Sequence, residues 1–386
     1  MESIKDRLKK NVKFFVRVRN LKNSLPGAEE RRYQRFIKMI QGIDPISDIN
    51  MFREAIDPVL QKDTFFSTAA YGPDSFLYGY YNEIVRYSGR HLSKIPMLPM
   101  FEHGIRFASP PRKYDKYSLS YACQGRNRIH EIHSVDPWKM VFSFGPYIHY
   151  AEDEYDQQKF ESLKKQLGNT LLVFPAHTWE ESSLGGSNED FLQRVMRKYA
   201  PAYDNVLVCM YWKNVNDPVA KAFETAGAKI VSAGFRGDSK FVRRLKTIIR
   251  LADDVVVDDI GTNIGFSICM KKRVFFEGGE NPKGNDAFFT ENYRAFKQAF
   301  SCIDRVFSQE QLDRQHELYT SFWGGEQELL TKSQTNKLFE ALEAIYDAAN
   351  YNVDRLPNAE KKYLVECVDY EQKKLIRNAI SPDVIL

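Results

Sequence analysis

The strongest constraint on this chain is a series of short apolar runs after residue 166, each followed by a helical pattern. "NTLLVFPAH", "NVLVCMYW", "AKIVSAGF", "DDVVVDD" and "KRVFFEGG" are rich in Val, Leu, Ile and Phe, and they end in polar or glycine-containing turns. Asn188 to Tyr199, a segment opened by Asp217-Pro218, Ser239 to Leu251 and a segment opened by Gly261 carry the helical spacing between them. In the third of these, Phe241, Leu245, Ile248 and Ile249 recur on one face, with Arg243, Arg244, Lys246 and Arg250 expected on the others. Continuous apolar strands separated by helices imply a parallel sheet covered on both sides, a doubly wound α/β domain.

The chain has 386 residues, 43% of them hydrophobic, which is more than one core usually organises, so two domains are expected. Between residues 45 and 165 the pattern is weaker. Thr64 to Ala70 is a short apolar stretch, Ser75 to Tyr87 reads as a helix, and "IPMLPMFEHGIRF" reads as a strand running into a glycine loop. Further strands are expected at Tyr117 to Cys123 and Lys139 to Phe144, before an acidic linker, "AEDEYD". After residue 330, "LFEALEAIYDAA" is an amphipathic helix with Leu338, Leu342 and Ile345 on one side. The expected organisation is a basic helical arm at 1–44, an α/β domain at 45–165, a Rossmann-like domain at 166–330, and C-terminal helices at 331–386.

A net charge of +4 supplies no global field for nucleic acid. Cys123, Cys209, Cys269, Cys302 and Cys367 are scattered without CxxC spacing and read as reduced thiols. No run reaches the roughly 20 apolar residues of a bilayer span, and the first residues lack the apolar stretch of a secretion signal. A cytoplasmic protein is expected. Residues 1–24 are strongly basic, with Phe14, Phe15, Val18 and Leu21 interleaved, which suits peripheral contact with an anionic inner-membrane surface or a helix packed on its own protein.

In a doubly wound sheet, ligands gather outside the carboxyl ends of the strands. The first strand delivers Pro175, His177, Thr178 and Glu180 there, the fourth Asp258, Asp259, Gly261, Thr262 and Asn263, and the fifth Glu277, Gly278 and Gly279. The turn "DDIGTNIGF" combines a glycine that allows close approach, two short polar side chains, and a helix N-terminus whose free N–H groups favour an anion. The competing reading is a plain strand-to-helix turn capped by Thr262 or Asn263.

The segment "ADDVVVDDIGTNIGFSICMKKRVFF" resembles the donor-binding turn in the second domain of GT-B glycosyltransferases, especially the branch that builds bacterial capsule, lipopolysaccharide and teichoic-acid polymers. Lys272-Arg273-Val274 stands where that branch has Lys-Pro-Val, and "FEHGIR" supplies the His-Gly of its first domain as His103-Gly104. The branch's His-Pro pair is missing; His177 in "FPAHTWE" is the nearest counterpart. The resemblance covers residues 95 to 280. It implies two Rossmann-like domains facing a cleft, an acceptor held by the first and a nucleotide-activated sugar by the second, with no metal and no cofactor required. Asp253-Asp254 and Asp258-Asp259 are adjacent pairs rather than the spaced carboxylates that clamp a metal-diphosphate.

On this reading the donor nucleotide meets His177, Thr178, Asp259, Gly261, Thr262, Asn263 and Glu277, while His103 or Glu102 takes the proton of the acceptor hydroxyl. The expected reaction is transfer of a sugar, a CMP-linked ulosonic acid of the Kdo or sialic type by preference, to a saccharide or glycolipid acceptor. A CDP-linked polyol-phosphate transferase, a nucleotide-sugar epimerase and an inactive scaffold are the alternatives. Weaker candidates are His130, Glu131, His133 and Asp136 as a cluster, Tyr147 and His149 near a domain exit, and Trp323 beside two glycines, suited to sugar stacking or to a bent connection.

Overall fold

The structure, a computed structural model, describes residues 10–23, 28–56, 77–92, 99–105, 118–176, 188–279 and 287–385. The fold is α/β, with two separate parallel sheets and many helices. Its two compact units comprise Met1–Arg31, Phe65–Tyr150 and Ser321–Leu386 in one, and Arg32–Thr64 and Ala151–Thr320 in the other.

The first unit carries β1 (Met100–Phe101), β2 (Ser120–Cys123) and β3 (Met140–Ser143), parallel and in that spatial order. The helix Arg126–Val135 connects β2 to β3 and packs Ile132 into the small core with Met100, Tyr121, Cys123 and Val141. Expected elements at Ser75 to Tyr87, Tyr117 to Cys123 and Lys139 to Phe144 are present in shortened form, the helix as Tyr80–Tyr87. The stretch Thr64 to Ala70 lies outside the described residues.

The C-terminal helices return to this first unit. Lys332–Ala348 is opened by a capping box in which Thr331 accepts from the Gln334 backbone, and it buries Leu338, Leu342 and Ile345. The Val141 backbone N–H donates to Ala379 at 2.8 Å, tying the tail to β3.

The second unit carries β4 (Thr170–Phe174), β5 (Asn205–Cys209), β6 (Lys229–Val231), β7 (Asp254–Val257) and β8 (Arg273–Phe276), all parallel. Their spatial order is β6-β5-β4-β7-β8. The strands are the five expected from the apolar runs, and the helices between them fall where the spacing put them. Val255, Val256 and Val257 are fully buried, and each contributes up to roughly 1.5–3 kcal/mol by leaving water. The bare Val run of β7 is thus explained by a sheet with two covered faces.

Two expectations need correction. Residues 1–44 do not form one arm: Val12–Asn23 belongs to the first unit, whereas Ala28–Gln41 runs into the second, where Phe36 and Ile40 are buried in the main core. Phe36 packs 6.0 Å from Trp212, so burial, not the basic charge, decides where that helix goes. The boundaries 45–165 and 331–386 shift likewise, because 32–64 and 151–165 join the second unit and 321–330 the first. Arg244, expected away from the apolar face of Phe241–Leu251, is itself buried and pairs with buried Asp238 at 2.6 Å. The acidic linker answers the rest of that helix: Glu152 meets Arg243 at 2.6 Å, and Asp153 meets Arg250.

Val12–Asn23 is fastened at its start. The Val12 N–H donates to Tyr351 at 3.0 Å, and Lys10 pairs with Asp354 at 2.8 Å. Phe14, Val18 and Leu21, at positions one helical face shares, are exposed. Among the described residues no helix is long and apolar enough to cross a membrane.

Candidate functional site

The order of the second sheet reverses between β4 and β7. From β4 the chain moves outward through β5 and β6 on one side, then crosses back to β7 and β8 on the other. Helices attached to β4 and β7 leave in opposite directions at such a switch point and open a crevice at the carboxyl ends of those strands. Pro175 and Ala176 follow β4 here, and the turn Asp258 to Gly261 follows β7. His177, Thr178 and Glu180 lie outside the described residues.

Both aspartates of the turn are shifted. Burial pushes the Asp258 carboxyl up to about 6, against an Ala176 backbone hydrogen bond and the Arg194 charge that favour ionisation; Glu277 adds to the rise. Burial likewise lifts Asp259 to about 6, opposed by its bond from the Ile260 N–H at 2.7 Å and reinforced by Asp258. Two carboxyls side by side, both easier to protonate than an exposed aspartate, can accept from a ribose hydroxyl and, when protonated, donate to a phosphate oxygen.

The helix Thr262–Cys269 starts at Gly261, whose extended backbone and missing side chain leave the helix without a side-chain cap. Asn263 does not cap it in the usual sense: its Oδ1 accepts from the next residue's N–H, Ile264, at 3.1 Å. A Cβ on Gly261 would stand 2.8 Å from that same Oδ1. The helix thus begins at the carboxyl end of β7 with no side chain of Gly261 over its first N–H groups, the kind of helix start that favours an anion.

Glu277, after β8, is held by protein groups. Lys198 donates to it at 2.7 Å and Tyr199 at 2.6 Å, while Arg194 lies 3.7 Å away and donates to the Glu277 carbonyl at 2.9 Å. It fixes Arg194 and the neighbouring strand exit. Gly278 allows the strand exits to close up, since a Cβ there would meet the Asp258 carbonyl at 2.7 Å and the Tyr293 hydroxyl at 2.7 Å. Burial, with Asp259 and Asp258 nearby, pushes Tyr293 up to about 12. Arg194 and Tyr293 escaped notice in the sequence because they sit in ordinary amphipathic helices; only the fold brings them to this edge.

In the first unit Glu102 and His103 follow β1. Glu102 is buried and forked by buried Arg128, with bonds of 2.8 to 3.0 Å to both carboxylate oxygens. Arg128 also reaches Glu131 at 2.7 Å. A carboxylate committed to a guanidinium on both oxygens is a poor proton acceptor, which favours His103 over Glu102 as the base. His103 is half-buried, with its ring 6.0 Å from that of Tyr78.

The weaker candidates also resolve. His133 meets the Lys139 carbonyl at 3.0 Å, Glu131 serves Arg128, and Asp136 lies 3.7 Å from Lys139. Among the described residues no group of three or more His, Cys, Asp or Glu side chains is placed to hold a metal ion. Tyr147 is buried and donates to the Ala122 carbonyl at 3.0 Å. Trp323 is wholly buried, and Gly324 and Gly325 adopt left-handed φ values of 83° and 59°, so the bent connection is the reading that holds. Comparison with known proteins gives no matching family model and no significantly similar curated relative.

Proposed function

We propose that this chain is a GT-B-like glycosyltransferase that moves a sugar from a nucleotide-activated donor to a saccharide or glycolipid acceptor of a bacterial envelope polysaccharide. The observation that carries the reading is the β4–β7 switch point, where a helix N-terminus without a side-chain cap meets two buried aspartates whose carboxyls are raised. Thr262 and Asn263 at the helix start receive the donor phosphate, with Arg194 as the nearby fixed cation. Asp258 and Asp259 receive hydroxyls of the nucleoside or sugar.

Transfer breaks the bond between the anomeric carbon and the nucleotide oxygen and forms one to the acceptor oxygen, whose proton goes to His103. The helix N–H groups stabilise charge building on the leaving phosphate. A CMP-linked ulosonic acid is the preferred donor class. The exposed Phe14, Val18 and Leu21, with basic Lys13 and Arg17 on the same helix, support peripheral membrane contact for an enzyme whose acceptor is lipid-linked.

The test is nucleotide release from a panel of nucleotide sugars, with and without saccharide acceptor. Acceptor-dependent release that His103→Ala abolishes, with nucleotide affinity retained, supports the assignment. Release without acceptor points to a hydrolase or epimerase, and turnover unchanged in the variant removes His103 from the chemistry.

A further inference from the structure

At the amino-terminal edge of the second sheet, opposite the switch point, lies a cavity of about 380 Å³. Lys271, Arg273 and Arg305 line it, together with Tyr203, Asp253 and Asp254. A neighbouring cavity of about 540 Å³ shares Asn169 and Asp253 with it and adds Lys164 and Lys165. The joined groove presents five cations against three carboxylates, Glu161, Asp253 and Asp254, and two of the cations, Lys164 and Arg273, are paired with Asp253 and Asp254. Asp254 takes Arg273 at 2.8 and 2.6 Å and Tyr203 at 2.5 Å, while Asp253 takes Lys164 at 2.6 Å and the Thr170 N–H at 2.7 Å.

Two of the lining cations stand where the backbone favours another residue. Lys271 has φ 61° and Arg305 φ 59°. Lys271 occupies the left-handed position just past Thr262–Cys269: its N–H donates to Ile268 at 2.8 Å, and the next N–H, of Lys272, donates back to Ser267 at 3.0 Å. That closing pattern ordinarily takes glycine, because a Cβ in the left-handed region is disfavoured. A long cation kept at such a position, twice, around one cavity, trades local stability for charge at a chosen place.

We propose that this groove is a second anion site, which takes a phosphate group through Lys271 and Arg305, beside an Arg273 that Asp254 holds in place, and is separate from the donor site. Its ligand is either a soluble phosphorylated compound or the phosphate of an acidic lipid headgroup, since both present the same oxygens.

The experiment uses the full chain and the variants Lys271→Gly and Arg305→Gly, titrated with inorganic pyrophosphate at low ionic strength and sedimented with phosphatidylcholine vesicles with or without phosphatidylglycerol. Each glycine relieves the backbone, so both variants fold and Lys271→Gly melts about 1–3 °C higher. Pyrophosphate affinity is expected to fall about tenfold or more in each variant. Should the wild type ignore pyrophosphate yet bind acidic vesicles more tightly than the variants, the lipid headgroup is the source. Wild-type affinity in both variants, or no binding of either probe by the wild type, overturns the proposal. Donor nucleotide binding, measured in parallel, stays unchanged in both variants, so the two sites succeed or fail separately.

Discussion

Arg128 forks across the carboxylate of Glu102, with Nε donating to Oε1 at 2.9 Å and to Oε2 at 3.0 Å, and Nη2 donating to Oε1 at 2.8 Å. Both side chains are buried, so the pair joins the exit of β1 to the helix Arg126–Val135 in a low-dielectric setting. Removing one partner strands a buried charge. Glu102→Ala is therefore expected to lose about 3–5 kcal/mol in urea unfolding, and Glu102→Leu with Arg128→Leu to lose less than that single variant. A loss under about 1 kcal/mol for Glu102→Ala would mean that Arg128 does not hold this carboxylate as a buried ion pair.

The two aspartates of the switch point set a pH dependence whose sign follows from burial. Their carboxyls are raised from the ordinary aspartate range to about 6, so the folded state holds protons that the unfolded chain releases. Their contribution to stability is complete below pH about 4 and is lost as pH rises through about 6. Relative to Asp258→Asn with Asp259→Asn, the wild type should lose melting temperature between pH 4 and 7. A constant difference across that range would mean that neither carboxyl is shifted.

Gly278 tests how tightly the strand exits close. Alanine there drives a methyl against the Asp258 carbonyl, the Tyr293 hydroxyl and the Phe276 ring, with 2.5 to 2.7 Å available. Gly278→Ala should cost about 1–3 kcal/mol, whereas Gly42→Ala, whose nearest neighbour is 3.4 Å away, should stay within about 0.5 kcal/mol. Equal melting temperatures for the two variants would show that the β7 and β8 exits are not packed as described.

Most of the second sheet was legible because each strand is a self-contained signal. Val255 to Val257 can only be a strand buried on both faces, and the Gly261 turn announces the helix after it. Pairings at long range were not. Nothing local tells Phe36 that it belongs beside Trp212, or Glu102 that its partner lies 26 residues on, since each is one amphipathic or polar residue among many. The burial of Arg244 is hidden for a related reason: a charge away from the apolar face of a helix does not reveal that buried Asp238 pairs with it. At the candidate site, Asp259, Gly261, Thr262 and Asn263 were found from their turn, whereas Arg194 and Tyr293 needed the sheet order to bring them in.

Thr262 stands first in the helix at the switch point. Thr262→Val keeps the shape and removes a hydroxyl, so it should weaken nucleotide binding several-fold, by about 1 kcal/mol, without changing the melting temperature of the free protein by more than about 2 °C. Isothermal titration of wild type and variant reads this directly, and equal affinities would leave Thr262 as an ordinary first residue of a helix.

The central claim is that the β4–β7 switch point binds a nucleotide, and thermal shift with CMP, CDP, UDP and GDP at equal millimolar concentration tests it most directly. A ligand at 100 times its dissociation constant adds about 2.7 kcal/mol. The account predicts stabilisation by one or more cytidine nucleotides, CMP above the others, reduced in Thr262→Val. No shift with any of the four, in a protein that melts cooperatively, would contradict it.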